Sequence, residues 1–244
     1  MKKRIDLILV EKKIAETRSK AQAMIMAGQI YIKNHKVFKS SETYDSNIEI
    51  IFKNLHPQWV SRGAFKILHA LDHFNIDVKN LICMDLGAST GGFTEVLLTK
   101  RALKIYSVDV GSNQLHEKLK KNNKIINLPK TNARYLTKEL IPELIDIIVC
   151  DVSFISMKKV LKPSLTFLDK EFGIIIALIK PQFESDKNEI KRGGVVTDSL
   201  VHKRICEEYV DWFKNVCNMQ VLGVTPSPIT GPKGNIEFLI CAKR

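Results

Sequence analysis

Residues 81–93 have the sequence Leu-Ile-Cys-Met-Asp-Leu-Gly-Ala-Ser-Thr-Gly-Gly-Phe and precede a helix-like segment at 94–98. This pattern predicts a strand ending in an acid, a tight turn of small residues and a helix N-terminus, which together open a nucleotide-binding βαβ unit. Glycines in the turn allow positive φ and let a ligand lie against the main chain. A second acid, Asp109, follows Gly87 by 22 positions, where a carboxylate binds a ribose diol in such folds.

The turn departs from G-x-G-x-x-G and lacks the G-K-[ST] of a phosphate-binding loop. We therefore predict a nucleoside-like ligand without a pyrophosphate, with S-adenosylmethionine as the leading candidate. An NAD site and an α/β turn with no ligand are the alternatives at this point.

The charge of the chain indicates a polyanionic partner. Its 244 residues carry 38 Lys and Arg against 26 Asp and Glu, a net charge of +12. Such an excess favours binding to nucleic acid or to an anionic membrane surface. A basic surface that is merely solvated is the alternative.

Several features point to a cytoplasmic protein. The N-terminus lacks the apolar region of a signal peptide. The longest apolar run, 172–179, is far shorter than the roughly 20 residues of a membrane helix. The five cysteines are scattered and odd in number, which favours reduced buried thiols. Because no cluster of His, Cys and Asp has the spacing of metal ligands, we predict no metal and no membrane partner.

The N-terminal part is predicted to be a small α+β domain over residues 1–54. Helices are predicted over 6–13 and 20–27, the second with Thr17 or Ser19 as N-cap and Gly28 just past its end. Strands are predicted over 29–32, 37–38 and 48–52. Cations clustered near the helix ends would form a phosphate-binding face. A linker over 55–60 would lead to a second domain at 61–244.

The second domain is predicted to be a doubly wound α/β sheet. Helices are predicted from Ser61 onwards and over 94–98, 114–121, 153–168 and 199–216. Strands are predicted over 81–85, 104–108, 124–128, 146–150, 173–179, 220–224 and 235–241. Charged residues follow several of the buried strands: Asp85, Asp109, Asp151 and Lys180. Ligands bind at the carboxyl ends of strands in such sheets, so these four should meet at one edge.

Residues 4–9, 17–25 and 27–37 resemble the S4-like RNA-binding domain along its whole length. The resemblance implies that Arg18 and its neighbours contact structured RNA. The residues predicted to bind RNA are Arg4, Arg18, Ser19, Lys20 and, in the second domain, Arg62.

Residues from Ser61 to about Cys241 resemble the FtsJ-like ribose 2′-O-methyltransferases, beginning with the glycine turn. The catalytic series of that family is lysine, aspartate, lysine and glutamate, and it falls on Lys66, Asp151, Lys180 and Glu237. With the RNA-binding module ahead, the chain is similar to the TlyA family of ribosomal RNA cytidine 2′-O-methyltransferases, long labelled haemolysins. The implied fold is a Rossmann-like methyltransferase sheet preceded by an S4-like domain, and the implied partner is ribosomal RNA or a ribosomal subunit.

The resemblance also implies roles for individual residues. Lys180 would be the general base that removes the ribose hydroxyl proton. The glycine turn would hold the methionine end of S-adenosylmethionine, Asp109 the ribose, and Asn132 or Arg134 would lie near the adenine. The residues predicted to bind this cofactor are Asp85, Gly87, Ala88, Ser89, Thr90, Gly91, Gly92, Phe93, Asp109 and Asn132.

Three other functions are each disfavoured by the sequence. A membrane-active toxin would need a spanning or amphipathic segment, which the sequence does not offer. A non-catalytic RNA-binding or ribosome-assembly factor would not need the four catalytic residue types. Base methylation commonly uses an Asn/Asp-Pro-Pro-aromatic loop, whereas the sequence here is Asp-Val-Ser-Phe at 151–154. Because the chain resembles the short members of the family, we expect methylation of large-subunit (23S) RNA.

Overall fold

The computed structural model describes residues 2–26, 29–33, 35–52 and 59–244. The chain divides into two compact units, Met1–Gln58 and Trp59–Arg244. Each unit has its own hydrophobic core, so each is described by itself.

The first unit is a small α+β fold. Its elements are β1 (Lys2–Arg4), α1 (Ile5–Glu11), α2 (Arg18–Met26), β2 (Ile30–Ile32), β3 (His35–Lys36), β4 (Thr43–Asp45) and β5 (Ile51–Phe52). Strand β1 pairs antiparallel with β4, and β2 lies between β3 and β5 in a second antiparallel sheet. The helices bury Ile8 and Leu9 of α1 against Ile25 of α2 in the core.

The sequence predicted both helices of this unit, but it placed some strands imprecisely. The Thr17 hydroxyl accepts a hydrogen bond from the Lys20 backbone N–H at 3.2 Å, so Thr17 rather than Ser19 is the N-cap of α2. The strand predicted at 37–38 lies at His35–Lys36 instead, and Val37, just after it, is fully buried in the core. The pair β1 and β4 was not predicted, since both are short and rich in charge. The predicted helix end at 27–28 lies outside the described residues.

The second unit is built around one seven-stranded sheet. Its strands are β6 (Ile82–Leu86), β7 (Lys104–Val108), β8 (Ile125–Leu128), β9 (Ile147–Cys150), β10 (Ile174–Ile179), β11 (Gln220–Pro226) and β12 (Phe238–Lys243). The order across the sheet is β11-β12-β10-β9-β6-β7-β8, and β12 runs in the direction opposite to that of the other six strands. The chain winds from β6 to one side and from β9 to the other. The topological switch point therefore lies between β6 and β9, where such sheets bind ligands.

Helices cover both faces of this sheet, as predicted for a doubly wound fold. They are α3 (Gly63–His73), α4 (Gly92–Thr99), α5 (Glu117–Lys120), α6 (Met157–Ser164), α7 (Pro181–Glu184) and α8 (Ser199–Asn215). One core packs Leu161 of α6 and Phe213 of α8 against one face, and the other packs Ile67 of α3 and Leu97 of α4 against the opposite face. Strands β6, β9 and β10 are buried almost throughout, which explains their continuous apolar runs.

Three predicted elements of this unit are shorter than the sequence suggested. The helix at 114–121 forms only over Glu117–Lys120, because His116 is extended and caps it. The helix at 153–168 begins at Met157, after Phe154 adopts φ 64°, and its last turn holds Pro163. The last strand begins at Phe238, leaving Glu237 just before it. Among the described residues, every helix is too short or too polar to span a bilayer.

Candidate active site

The glycine turn leaves β6 at the switch point and enters α4. Gly87 has φ 83°, and its N–H donates to the Val108 carbonyl at 2.9 Å. A Cβ on Gly87 would lie 2.7 Å from the Asp151 carbonyl oxygen, so the main chain approaches β9 more closely than any side chain would permit. Gly91 has φ 98° and is the N-cap of α4.

Two cavities at the carboxyl edge of the sheet form one cleft. They have volumes of about 600 and about 490 Å³. Gly87, Ser89, Asp151 and Ser153 line both of them. The cleft therefore passes over the glycine turn, from the strand end at Asp109 to the strand end at Lys180.

The four predicted catalytic residues come together at the first cavity. Lys180 Nζ lies 2.5 Å from Asp151 Oδ1 and donates to Ser153 Oγ at 2.8 Å. Lys66 Nζ lies 2.7 Å from Glu237 Oε2 and 3.4 Å from Asp151 Oδ2. Asp151 thus bridges the two lysines, and we call these four residues the Lys–Asp–Lys–Glu cluster.

Burial makes this cluster an electrostatic unit. The side chains of Lys66 and Lys180 are 9% and 8% exposed, and that of Glu237 is 0% exposed. Isolated buried charges are very unfavourable, so two cations and two carboxylates stabilise one another here. Within the described chain, Glu237 Oε1 has no hydrogen-bond partner, which leaves a buried acceptor beside Lys66.

Four elements position the cluster. Lys66 is the fourth residue of α3, Asp151 follows β9 and Lys180 follows β10. Glu237 directly precedes β12, which is antiparallel to β10, so its N-terminal end lies at the carboxyl edge of the parallel strands. Each residue is therefore held in the first turn of a helix or at the end of a strand.

Asp85 and Asp109 lie on the other side of the turn. Asp85 is fully buried; its Oδ2 accepts from the Thr94 hydroxyl at 2.6 Å, and its Oδ1 has no partner within the described chain. Burial raises the pKa of Asp85 from 3.8 to about 7. Asp109 accepts one N–H at each oxygen, from Ser89 and from Gly111, both at 2.7 Å. Asn132 Oδ1 accepts from the Arg134 N–H at 3.1 Å.

Most residues predicted to bind the cofactor line the cleft. The first cavity is lined by Asp85, Gly87, Ala88, Ser89, Thr90, Gly92 and Phe93, and the second by Asp109 and Asn132. Gly91 lines neither of these two cavities in the described chain. A side chain at Gly91 would collide with Leu115 and Leu119, so close packing requires a glycine at this position. Contact between Gly91 and a cofactor stays a prediction.

The residues predicted to bind RNA are in two places. Arg4 and Arg18 donate to the buried carboxylate of Asp6, Arg4 at 2.9 and 3.0 Å and Arg18 at 3.0 Å. These contacts hold the pKa of Asp6 well below its usual range. Lys20 pairs with Glu16 and Ser19 is exposed. Arg62 lines the first cavity and donates to the Thr230 carbonyl at 3.4 Å.

The structure adds residues that the sequence did not single out for the site. Ser153 binds the Lys180 ammonium, and Gly231 and Lys233 line the first cavity. A Cβ on Gly231 would collide with the Glu237 carboxylate. The loop at 225–234 is rich in proline and glycine. This composition could have indicated that the main chain of the loop lies close to the catalytic residues.

Among the described residues, no group of three or more His, Cys, Asp or Glu could hold a metal ion. Asp109, Asp151 and Glu237 are instead paired with lysines or with backbone N–H groups, and Asp85 accepts from the Thr94 hydroxyl.

Known proteins match both units. Residues 59–244 match the FtsJ-like methyltransferase family, and residues 3–47 match the S4 domain. The chain therefore belongs to the FtsJ-like methyltransferases.

Within that family the chain groups with proteins named TlyA and with a hemolysin. It is 37% identical over 238 residues to the 16S/23S rRNA (cytidine-2′-O)-methyltransferase TlyA of Mycobacterium tuberculosis, covering 97% of this chain and 88% of that protein. It is 36% identical over 251 residues to the 23S rRNA (cytidine-2′-O)-methyltransferase TlyA of Campylobacter jejuni, covering 94% and 95%. Hemolysin A of Brachyspira hyodysenteriae is 39% identical over 240 residues, covering 97% and 98%.

A solved structure from Streptococcus thermophilus has the same fold. It is 36% identical, with a TM-score of 0.74, and covers 100% of this chain and 88% of that one. Together with the sheet order, this confirms the predicted combination of a methyltransferase sheet and an N-terminal S4 domain.

Proposed function

We propose that the protein transfers a methyl group from S-adenosylmethionine to the 2′-hydroxyl of a cytidine in 23S ribosomal RNA. The observation that carries this proposal is the Lys–Asp–Lys–Glu cluster at the wall of a cleft beside the glycine turn. The S4 domain, which precedes the methyltransferase domain in the sequence, and the names of the relatives support ribosomal RNA as the substrate. An RNA substrate of this kind implies activity in the cytoplasm.

The residues at the turn fit S-adenosylmethionine. Gly87 has no side chain, so a ligand in the cleft can contact its main chain directly. Asp85 has one buried oxygen without a hydrogen-bond partner in the described chain. Asp109 stands at the end of β7, where a carboxylate reaches a ribose diol. These residues would hold the cofactor, which supplies a sulfonium methyl group when bound.

The cluster provides the proton transfer that a ribose hydroxyl needs. A hydroxyl is a weak nucleophile, so its proton must leave as its oxygen attacks the methyl carbon. In its neutral amine form Lys180 accepts that proton at Nζ and becomes an ammonium, which Asp151 then pairs with, while Asp151 and Ser153 fix the direction of Nζ. Lys66 and Glu237 form the second pair and hold Asp151 in place. Orienting the hydroxyl in line with the methyl group supplies much of the remaining rate.

Replacing Lys180 tests this assignment. Lys180→Ala should reduce methyl transfer by roughly 10²-fold to 10⁴-fold, the usual contribution of a general base. Transfer is measured with tritiated S-adenosylmethionine on 23S transcripts, and cofactor affinity by calorimetry. Lys170→Ala, at an exposed lysine outside the cleft, is the control. Unchanged transfer by Lys180→Ala would remove it as the base.

Mapping the modified nucleotide tests the substrate. Ribosomal RNA from cells with and without the gene is compared for 2′-O-methyl cytidine in the 16S and 23S molecules. We expect a 23S cytidine that depends on the gene and on Lys180. No methyl group in either RNA would favour a non-catalytic assembly factor, and a methyl group on a base would contradict the ribose assignment.

A further inference from the structure

A shallow groove lies on the second unit, outside the catalytic cleft. Its lining is Arg134, Lys158, Lys159, Lys162, Pro163 and Trp212, and its volume is about 360 Å³. We call it the lysine groove. Four of its six residues are cations, a composition that the proposed chemistry does not use.

The charge of the lysine groove is not neutralised. Within the described chain, none of its four cations lies within ion-pair distance of a carboxylate. Lys66, Lys104 and Lys180, by contrast, each face an acid. Clustered cations without counter-charges create a positive potential that attracts polyanions.

Helix α6 presents three of the cations on its outer side. Its inner side buries Met157, Val160, Leu161 and Ser164. Lys158 and Lys159 lie in the first turn, which carries no acid, at the positive end of the helix dipole. This position is unfavourable for a cation in the isolated protein, so the fold itself does not account for two lysines there.

Aromatic rings hold two of the cations. Lys158 Nζ lies 4.7 Å from the centre of the Tyr209 ring, and Arg134 Cζ lies 5.2 Å from that of Tyr135. Cation–π contact restrains these side chains without neutralising their charge. The groove is thus partly ordered before any partner binds.

The lysine groove lies next to the cleft. Asn132 and Ala133, just before Arg134, line the second cavity. Val160, between Lys159 and Lys162 on α6, lines it as well. A strand lying in the groove would therefore reach the cleft beside Asn132 and continue past Asp151 and Ser153, which line both cavities, toward the catalytic cluster.

We propose that the lysine groove binds the sugar-phosphate backbone of the RNA next to the nucleotide to be methylated. This inference rests on the proposed function and extends it. The S4 unit would give general affinity for RNA, while the lysine groove fixes the strand where it enters the cleft. Lys159 and Lys162 are exposed and act as point charges on phosphates.

The double variant Lys159→Gln/Lys162→Gln tests this proposal. It removes two charges at exposed positions that carry no ion pair in the described chain and do not line the cleft. The matched control is Lys79→Gln/Lys170→Gln, which removes two exposed charges just before β6 and β10, at the opposite edge of the sheet. Arg134 is left intact because it adjoins residues that line the second cavity.

Binding to a 23S transcript is measured as a function of salt, together with KM, kcat and affinity for S-adenosylmethionine. In the groove variant the KM for RNA should rise roughly tenfold, and the slope of log affinity against log salt should fall by about 1.4 to 1.8, for two phosphate contacts. The kcat at saturating RNA, the cofactor affinity and the melting temperature should stay at the wild-type values, as should every property of the control.

The outcomes separate two kinds of failure. If the wild type methylates 23S RNA and the groove variant behaves like the control, the lysine groove does not bind RNA. Equal weakening in both double variants would mean that only net charge matters, which also overturns the proposal. If the wild type methylates no RNA, the proposed function fails first, and this inference fails with it.

Discussion

At the scale of single residues, Asp85 combines burial with incomplete hydrogen bonding. Its carboxylate is fully buried, and only Oδ2 has a partner within the described chain. Because burial penalises the charged form, the pKa of Asp85 is raised from 3.8 to about 7. Such a group connects the stability of the ligand-free protein to pH.

Asp85 should make the ligand-free protein less stable as pH rises from about 4 to about 7. The folded state keeps the proton over this range while the unfolded state has lost it, so raising the pH favours unfolding. The change is on the order of 4 kcal/mol, at about 1.4 kcal/mol per pKa unit. Urea unfolding at several pH values measures it, and Asp85→Asn should remove this part of the dependence. Identical pH profiles for both proteins would contradict the raised pKa.

Gly87 is required for its missing Cβ. Gly87→Ala should weaken binding of S-adenosylmethionine and destabilise the unit by roughly 1–3 kcal/mol, because φ is 83° and the Cβ would press on the Asp151 carbonyl. Gly193→Ala is the control, since Gly193 also has positive φ (101°) but nothing within 4 Å of its Cβ. Calorimetric titration and thermal unfolding compare the two variants. Equal effects would mean that backbone strain alone, and not the close approach to β9, explains the glycine.

At the scale of elements, the site depends on how strands end. Strands β9 and β10 are parallel neighbours in register, Ile176 beside Val149 and Ala177 beside Cys150. Asp151 and Lys180 therefore leave the sheet at the same edge. Packing that fixes the register of these strands also fixes the distance between the two charges.

Shortening a buried side chain in β10 should weaken this framework. Ile176 is fully buried and Ile174, on the same strand and facing the same core, is only partly buried. Ile176→Ala should lower the free energy of unfolding by about 2–5 kcal/mol, and Ile174→Ala by clearly less. Urea unfolding followed by circular dichroism measures both. A larger loss of unfolding free energy for Ile174→Ala than for Ile176→Ala would contradict this, because packing at the first residue of β10 would then contribute more than packing in its middle.

At the scale of the whole molecule, the cleft and the N-terminal cluster of cations belong to two units with separate cores. The second unit contains the whole cleft, from Asp109 to Lys180, and the first unit carries the cations around Asp6. The net charge of +12 suits a chain that binds RNA. Binding of cofactor and binding of RNA should therefore be separable.

A fragment of residues 59–244 should bind S-adenosylmethionine within about twofold of the full chain, while its affinity for 23S RNA should fall by at least roughly tenfold. The physical reason is that the residues proposed to bind the cofactor lie in the second unit, whereas Arg4, Arg18 and Lys20, which are proposed to bind RNA, lie in the first. Calorimetry and filter binding measure the two affinities, and circular dichroism checks that the fragment is folded. A folded fragment with full RNA affinity would contradict an RNA-binding role for the first unit.

The sequence alone determined the class of fold. The spacing of hydrophobic residues, the residue types in turns and the continuous apolar runs of buried strands are local features that can be recognised in the sequence itself. It also placed Asp151 and Lys180 at the ends of buried strands, whereas Glu237, the grouping of all four residues and their roles came from resemblance to the FtsJ-like family. It was imprecise about element boundaries, as for the short strand that lies at His35–Lys36 and for the helix that begins only at Met157, after Phe154 adopts positive φ.

Only the tertiary structure decided which charges pair. Asp151 bridges both lysines because α3, β9 and β10 meet at one edge. The same holds for the lysine groove, where Arg134 and the cations of α6 become neighbours although more than twenty positions separate them in the chain. Charges interact through space over a few ångströms, so their energies depend on distances that the order of residues does not contain.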